Sequence, residues 1–153
     1  MKKTKVYLDA SVIGGCLDKE FKQYSNLLVA EFISGKKIAL LSRILFAEIS
    51  KAPQPVQDVL MRIQKGSYEF LENTPEVDAL AQKYIRHKIL DQKWFDDATH
   101  IATATVYKAD VLVSWNFKHI VNYNKIHLIH SLNLKEGYPA IEIRTPTEAV
   151  DYE

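Results

Sequence analysis

Short, almost wholly apolar runs, each followed by a stretch with helical spacing, constrain this chain more than any other feature. Val6-Tyr7-Leu8, Ile38 to Leu41 and Val111-Leu112-Val113-Ser114 read as strands, joined by Tyr68 to Leu71 and by Ile141-Glu142-Ile143 near the end. A strand with one wet face alternates apolar and polar residues, whereas the first three of these barely alternate, so helices must cover both of their faces. Strands of this kind interleaved with helices specify an α/β layer fold built on a mainly parallel sheet.

The intervening helices carry their own boundary signals. Tyr24 to Ser34 has Leu27, Leu28, Ala30 and Ile33 on overlapping faces and stops at Gly35. Ser42 is placed to cap a helix through Leu45, Ile49 and Lys51, which Pro53 and Pro55 are expected to end, and Val56 to Lys65 forms the next, closed by Gly66. Thr74-Pro75-Glu76-Val77 is a helix start, because a proline in the first turn loses no hydrogen bond there. That helix runs to about Lys88 with Val77, Leu80, Ala81, Tyr84 and Ile85 as its apolar stripe. Asp96 or Asp97 opens a further helix, Ala98 to Tyr107, while Ile126 to Leu134 fits helix or loop equally. With 153 residues and no linker or repeat, the chain is expected to be one domain over residues 1–153.

A content of 47% hydrophobic and 25% charged residues excludes a disordered chain. The net charge of +1 supplies no global field for a nucleic acid, so any such contact rests on local groups: Lys2, Lys3 and Lys5, Lys36 and Lys37, or Arg86, His87 and Lys88, each of which reads first as solvated surface. The single cysteine, Cys16, excludes an internal disulfide, fits a reducing compartment and is expected to be a small buried hydrophobe. The basic start, Met1 to Lys5, is followed by too few apolar residues for a signal core, and the apolar stretch from Ile38 to Ile49 contains Arg43 and Glu48, so no membrane span is expected and the protein is read as cytoplasmic.

Open parallel sheets bind ligands beyond the carboxyl ends of their strands. Asp9 follows the first strand there, and Asn116 follows the strand at Val111. Glu48 sits among Leu45, Phe46, Ala47 and Ile49, where a carboxylate is costly unless something positive meets it. Asp97 stands in the first turn of a helix rich in small residues, Ala98, Ala102 and Ala104, which can pack closely on the sheet. Taken singly, each has a plain structural explanation: a helix cap for Asp97, a surface pair with Lys51 for Glu48, turn bonding for Asp9 and Asn116. Together they make a carboxylate cluster, which needs a cation or raised pKa values, and hard oxygen donors without thiolates favour Mg²⁺ or Mn²⁺.

These segments resemble those of PIN domains. Val6 to Ser11 is similar to the opening strand and first acid, and Leu41 to Ile49 to the second segment with Glu48 as its acid. Asp97 to Ala104 is similar to the third and Leu112 to His119 to the fourth, so the likeness spans residues 6–122 in family order and leaves 133–153 as a C-terminal extension. The resemblance implies a three-layer α/β/α sandwich and a Mg²⁺- or Mn²⁺-dependent nuclease acting on single-stranded RNA. It also implies a homodimer and, as in the VapC kind of ribonuclease toxin, a small antitoxin partner. Carried over, Asp9, Glu48 and Asp97 would hold the metal and orient water, Asn116 would complete the catalytic set, and Ser11 and Ser114 would support the acids. Many PIN domains have an acid where this chain has Asn116, which brings an amide oxygen but no charge and so makes one metal more fitting than two.

Asp96 is not expected to share an ion with Asp97, since adjacent helix positions point about 100° apart. His100 and His119 could each approach a phosphate but read first as structural, and Trp115, Phe117 and Tyr123 could stack on bases but read first as core or interface residues. Asn116 also admits another reading, a catalytically degenerate domain that binds protein or RNA. A haloacid-dehalogenase-like phosphoryl transferase would require a second aspartate two residues after Asp9, where this chain has Ser11.

Overall fold

The computed structural model describes residues 2–152, so Met1 and Glu153, the ends of the expected domain, lie outside the described residues. Strands β1 (Lys5–Leu8), β2 (Ile38–Ser42), β3 (Tyr68–Leu71), β4 (Val111–Val113) and β5 (Glu142–Arg144) form one sheet in the order β3-β2-β1-β4-β5. Every pairing is parallel. The chain therefore winds outward from β1 in both directions, and the order reverses between β1 and β4, the point where such sheets open a crevice.

Side-chain alternation divides the sheet into two cores. Tyr7, Leu40, Leu112 and Ile143 face helices α5 (Pro75–Arg86), α6 (Phe95–Val106) and α7 (Tyr123–Lys135). Val6, Leu8, Ala39, Leu41 and Val113 face α1 (Ala10–Gly15), α2 (Lys22–Ile33), α3 (Arg43–Ile49) and α4 (Gln54–Ile63). The three layers expected from the apolar strands are present. Every residue of α6 from Ala98 to Thr105 is buried, as its small side chains allow, and Thr99, Thr103 and Thr105 return their hydroxyls to carbonyls four residues back.

Several local expectations change. Ser42 does cap α3, its Oγ accepting from the Leu45 N–H, but that helix stops at Ile49. Pro53 and Pro55 do not end it; they begin α4, where a ring in the first turn displaces no hydrogen bond. Neither Asp96 nor Asp97 caps α6, because the cap is Trp94 and both acids stand in the first turn. The ambiguous stretch after Ile126 is the helix α7, with Asn122 capping it by accepting from Lys125 N–H. Helix α1 was not expected, since six residues with two glycines carry no periodic signal.

The C-terminal segment is part of the core rather than an appendage. β5 edges the sheet beside β4, α8 (Pro146–Ala149) follows, and Asp151 reaches back to buried Lys37, which also pairs with Glu31. Lys36 pairs with the same aspartate and Lys5 with Glu69, so these lysines are occupied structurally. Cys16 is buried against Val12, and burial pushes its thiol up to about 11. Among the described residues no helix is long and apolar enough to cross a membrane.

Candidate active site

The candidate residues gather at the carboxyl edge of the sheet, around the reversal between β1 and β4. Asp9 leaves β1 as the N-cap of α1, buried to 4% exposure. Its Oδ1 accepts from Ser11 Oγ at 2.6 Å and from Ser11 N–H at 3.1 Å, and its Oδ2 accepts from Ser114 Oγ at 2.6 Å. Ser114 comes from β4's end, so one carboxylate joins the two strands at the reversal. Trp115 N–H donates to Ser11 Oγ at 2.9 Å and Asn116 N–H to Ser114 Oγ at 2.8 Å, which fixes both hydroxyls. Ser11 and Ser114 both donate to Asp9, and the Asn116 N–H meets Ser114. Burial raises the Asp9 pKa, against the opposing charge of His100 and the hydrogen bonds from Ser11 and Ser114.

Glu48, half-buried, accepts a hydrogen-bonded partner across 52 residues of sequence: His100 Nε2 lies 2.7 Å from its Oε1. His100 is 1% exposed, and its Nδ1 is 2.7 Å from Tyr7 Oη, which is 2.8 Å from Ser42 Oγ. The positive group that Glu48 requires is this histidine, and Lys51 plays no part. Burial opposes charge on His100, but its hydrogen bond to the Glu48 carboxylate and the charges of Glu48, Asp9 and Asp97 outweigh it and raise its pKa. All three candidate acids therefore act on one imidazole. The hydroxyls of Tyr7 and Ser42 can each reverse, so the chain Ser42–Tyr7–His100–Glu48 stays satisfied with His100 neutral or charged.

Asp97 is held from β4's following loop. His119 Nδ1 lies 2.8 Å from Asp97 Oδ2, and Asn116 Nδ2 donates to the same oxygen at 3.3 Å. Asn116 Oδ1 accepts from His119 N–H at 2.9 Å, so both ends of its amide are committed. An aspartate there could accept from His119 but would repel Asp97. Asn116 thus contacts Asp97 through its amide nitrogen, while its oxygen accepts the His119 N–H and keeps a second lone pair. Both histidines read as structural from sequence touch a candidate acid directly.

Glu48, Asp97, Asn116 and His119 line a cleft of about 450 Å³ together with Asp96, Lys93, Trp94 and Lys118. Asp96 is exposed and joins the cleft wall, while Asp9 lies deeper. Trp115 is in the core, stacked on Phe21 with its Nε1 donating to Ser25 Oγ at 2.7 Å, whereas Phe117 and Tyr123 are exposed. Among the described residues no three His, Cys, Asp or Glu side chains stand close enough to cage an ion. Carboxylates backed by hydroxyls are nevertheless the donor chemistry of a hard divalent cation. Mg²⁺ keeps several waters and takes only one or two protein carboxylates directly, which suits acids set apart around a cleft.

No family model matches the sequence. No curated protein matches it either. Two solved structures are similar in fold. The VapBC2 complex of Rickettsia felis, bound to a DNA fragment from its promoter, includes a chain 17% identical to this one, with a TM-score of 0.57 over 93% of this chain and 98% of that one. The Mycobacterium tuberculosis toxin VapC20, which cleaves the sarcin-ricin loop, is 12% identical, with a TM-score of 0.57 over 74% of this chain and 92% of its own. The likeness to VapC-kind PIN domains read from four segments of sequence holds for the fold as a whole: this chain has the α/β/α fold of those toxins.

Proposed function

We propose that the chain is an endoribonuclease that hydrolyses phosphodiester bonds of single-stranded RNA with the help of Mg²⁺ or Mn²⁺. The observation that supports this reading is that Asp9, at the exit of β1, and Glu48 and Asp97, which line one cleft, all lie at the carboxyl edge of the sheet by its reversal. Of Asp9, Glu48 and Asp97, one or two would hold the ion directly and the rest would act through its waters. When bound, a divalent cation lowers the pKa of a water and stabilises the departing oxygen. The protein's part is orientation. Ser11 and Ser114 keep both oxygens of Asp9 fixed, His100 fixes Glu48, and Asn116 with His119 fixes Asp97. Asp97 and Glu48 face the cleft, where a water held between carboxylate and phosphate can lose its proton to a carboxylate. The toxin partnership of VapBC2 supports, by likeness of fold, a small antitoxin as partner of this chain, and a homodimer belongs to the same reading.

Calorimetric titration with Mn²⁺ tests the metal assignment. Wild type is expected to take up about one ion per chain, with binding weakened at least ~10-fold in Asp97→Asn, since a carboxylate ligand to a hard cation loses its charge. A second reading, a binding module without catalysis, is favoured by the neutral Asn116 and by the hydrogen bonds that already occupy each acid. No Mn²⁺ uptake together with no cleavage of varied RNAs would establish that reading instead.

A further inference from the structure

The cleft beside Asp97 contains a feature that the carboxylate chemistry does not use. Trp94, the cap residue of α6, is half-buried, and its ring centroid is 4.4 Å from that of His119. The ammonium groups of Lys93 and Lys118 lie 5.4 and 5.6 Å from the same ring centre. Both lysines are exposed, and neither forms an ion pair among the described residues. The other tryptophan shows what a structural indole looks like here: Trp115 is almost fully buried and its N–H is bonded to Ser25. The Trp94 N–H has no such bond among the described residues, and its ring borders an open, acid-lined cleft.

Two unpaired ammonium groups beside an accessible indole form the combination by which proteins grip unpaired nucleic acid, the ring stacking on a base and the cations meeting the backbone. The lysine termini sit on long flexible stems and can exchange the ring for a phosphate when a base arrives. The placement also answers an electrostatic difficulty. Glu48, Asp96 and Asp97 would repel a phosphate from the cleft, and Lys93 and Lys118 are the cationic side chains that line it. His119 touches both Trp94 and Asp97, so a base stacked on Trp94 would be held in fixed relation to the candidate acid.

We propose that Trp94 is a stacking platform for an unpaired base of single-stranded RNA, with Lys93 and Lys118 engaging the flanking phosphates, so that the strand is registered against Asp97. This rests on the nuclease reading for its substrate class, but the platform can be tested without catalysis. A fluorescein-labelled single-stranded RNA of mixed sequence is titrated with the protein in EDTA at low salt, reading anisotropy. Trp94→Ala is expected to weaken binding about 5- to 100-fold, the range for loss of one stacked base, with Trp94→Phe restoring most of it. Lys93→Gln and Lys118→Gln should each weaken binding and reduce the salt slope by roughly 0.7, as for one phosphate contact on a single strand.

Tryptophan emission supplies a readout that survives a poorly folded alanine variant. RNA should quench wild-type emission, and Trp94→Phe, which retains Trp115, should abolish the quenching. A folded Trp94→Ala with wild-type affinity, or quenching that persists in Trp94→Phe, would overturn the platform. A protein that binds RNA through Trp94 yet never cleaves it would refute the nuclease reading alone. Cleavage that Trp94→Ala leaves unchanged in KM would refute the platform alone.

Discussion

At the scale of single residues, the site is organised by hydrogen bonds that no local pattern announces. Asp9 and Asn116 were legible because strand exits in parallel sheets are where polar residues gain a use. The partnership of Glu48 with His100 was not, because a contact across 52 residues leaves no spacing to read. His119 was read as structural and Trp94 was not singled out, because the contacts of His119 with Asp97 and with the Trp94 ring span more than 20 residues and leave no spacing to read. Asn116 was read as an uncharged member of the site, and its hydrogen bonds to Asp97 and from the His119 backbone had no signal in the sequence. The buried Tyr7 hydroxyl tests this network. Removing it in Tyr7→Phe strips His100 Nδ1 and Ser42 Oγ of a partner in a fully buried position. Denaturant unfolding should show a loss of about 1–3 kcal/mol, the cost of leaving buried polar atoms unpaired. Unchanged stability would mean that these bonds do not anchor the histidine.

At the scale of elements, sequence signals succeeded where a cap or an apolar stripe was strong and failed where an element was short. Thr74 and Pro75 start α5 as expected, and Val77, Leu80, Ala81 and Tyr84 form its buried stripe. Pro55 misled because proline is as much at home in a helix's first turn as after its last. Gly66 was read as a stop for α4, and the structure gives it a second reason. A Cβ there would lie 2.4 Å from the Phe32 carbonyl oxygen and 2.7 Å from Ile33 Cα, at the junction where Ser67 N–H donates to that same carbonyl. Backbone atoms cannot swing aside as a side-chain tip can. Gly66→Ala should therefore destabilise by about 1–3 kcal/mol through overpacking. In a thermal melt this corresponds to a midpoint roughly 3–10 °C lower for a chain of this size. A midpoint equal to wild type would show that the α2 end and the turn after α4 are not packed as described.

At the scale of the whole molecule, the apolar strands dictated the layers, and the layers dictated where a site belongs. The expected sheet was mainly parallel; the observed one is parallel throughout, with β1 at its centre and the reversal beside it. The C-terminal segment, which had no role by motif, completes that sheet through β5 and closes over buried Lys37 through Asp151. The strand itself was legible from Ile141-Glu142-Ile143 and lies one residue further on, at Glu142 to Arg144, but nothing in the sequence chose between a sheet edge and a dimer contact as its role. Glu48 and Asp97 line one cleft at the carboxyl edge of the sheet, Asp9 stands at the adjoining exit of β1, and the proposed function makes that edge a hydrolytic site. The most direct test is cleavage of single-stranded RNA by EDTA-stripped protein, with and without added Mg²⁺, for wild type, Asp9→Asn and Asp97→Asn. Wild type is expected to show Mg²⁺-dependent cleavage, and both variants a loss of at least about 100-fold, the scale for removing a positioned acid–base or metal-orienting carboxylate. Full activity in both folded variants would contradict that function.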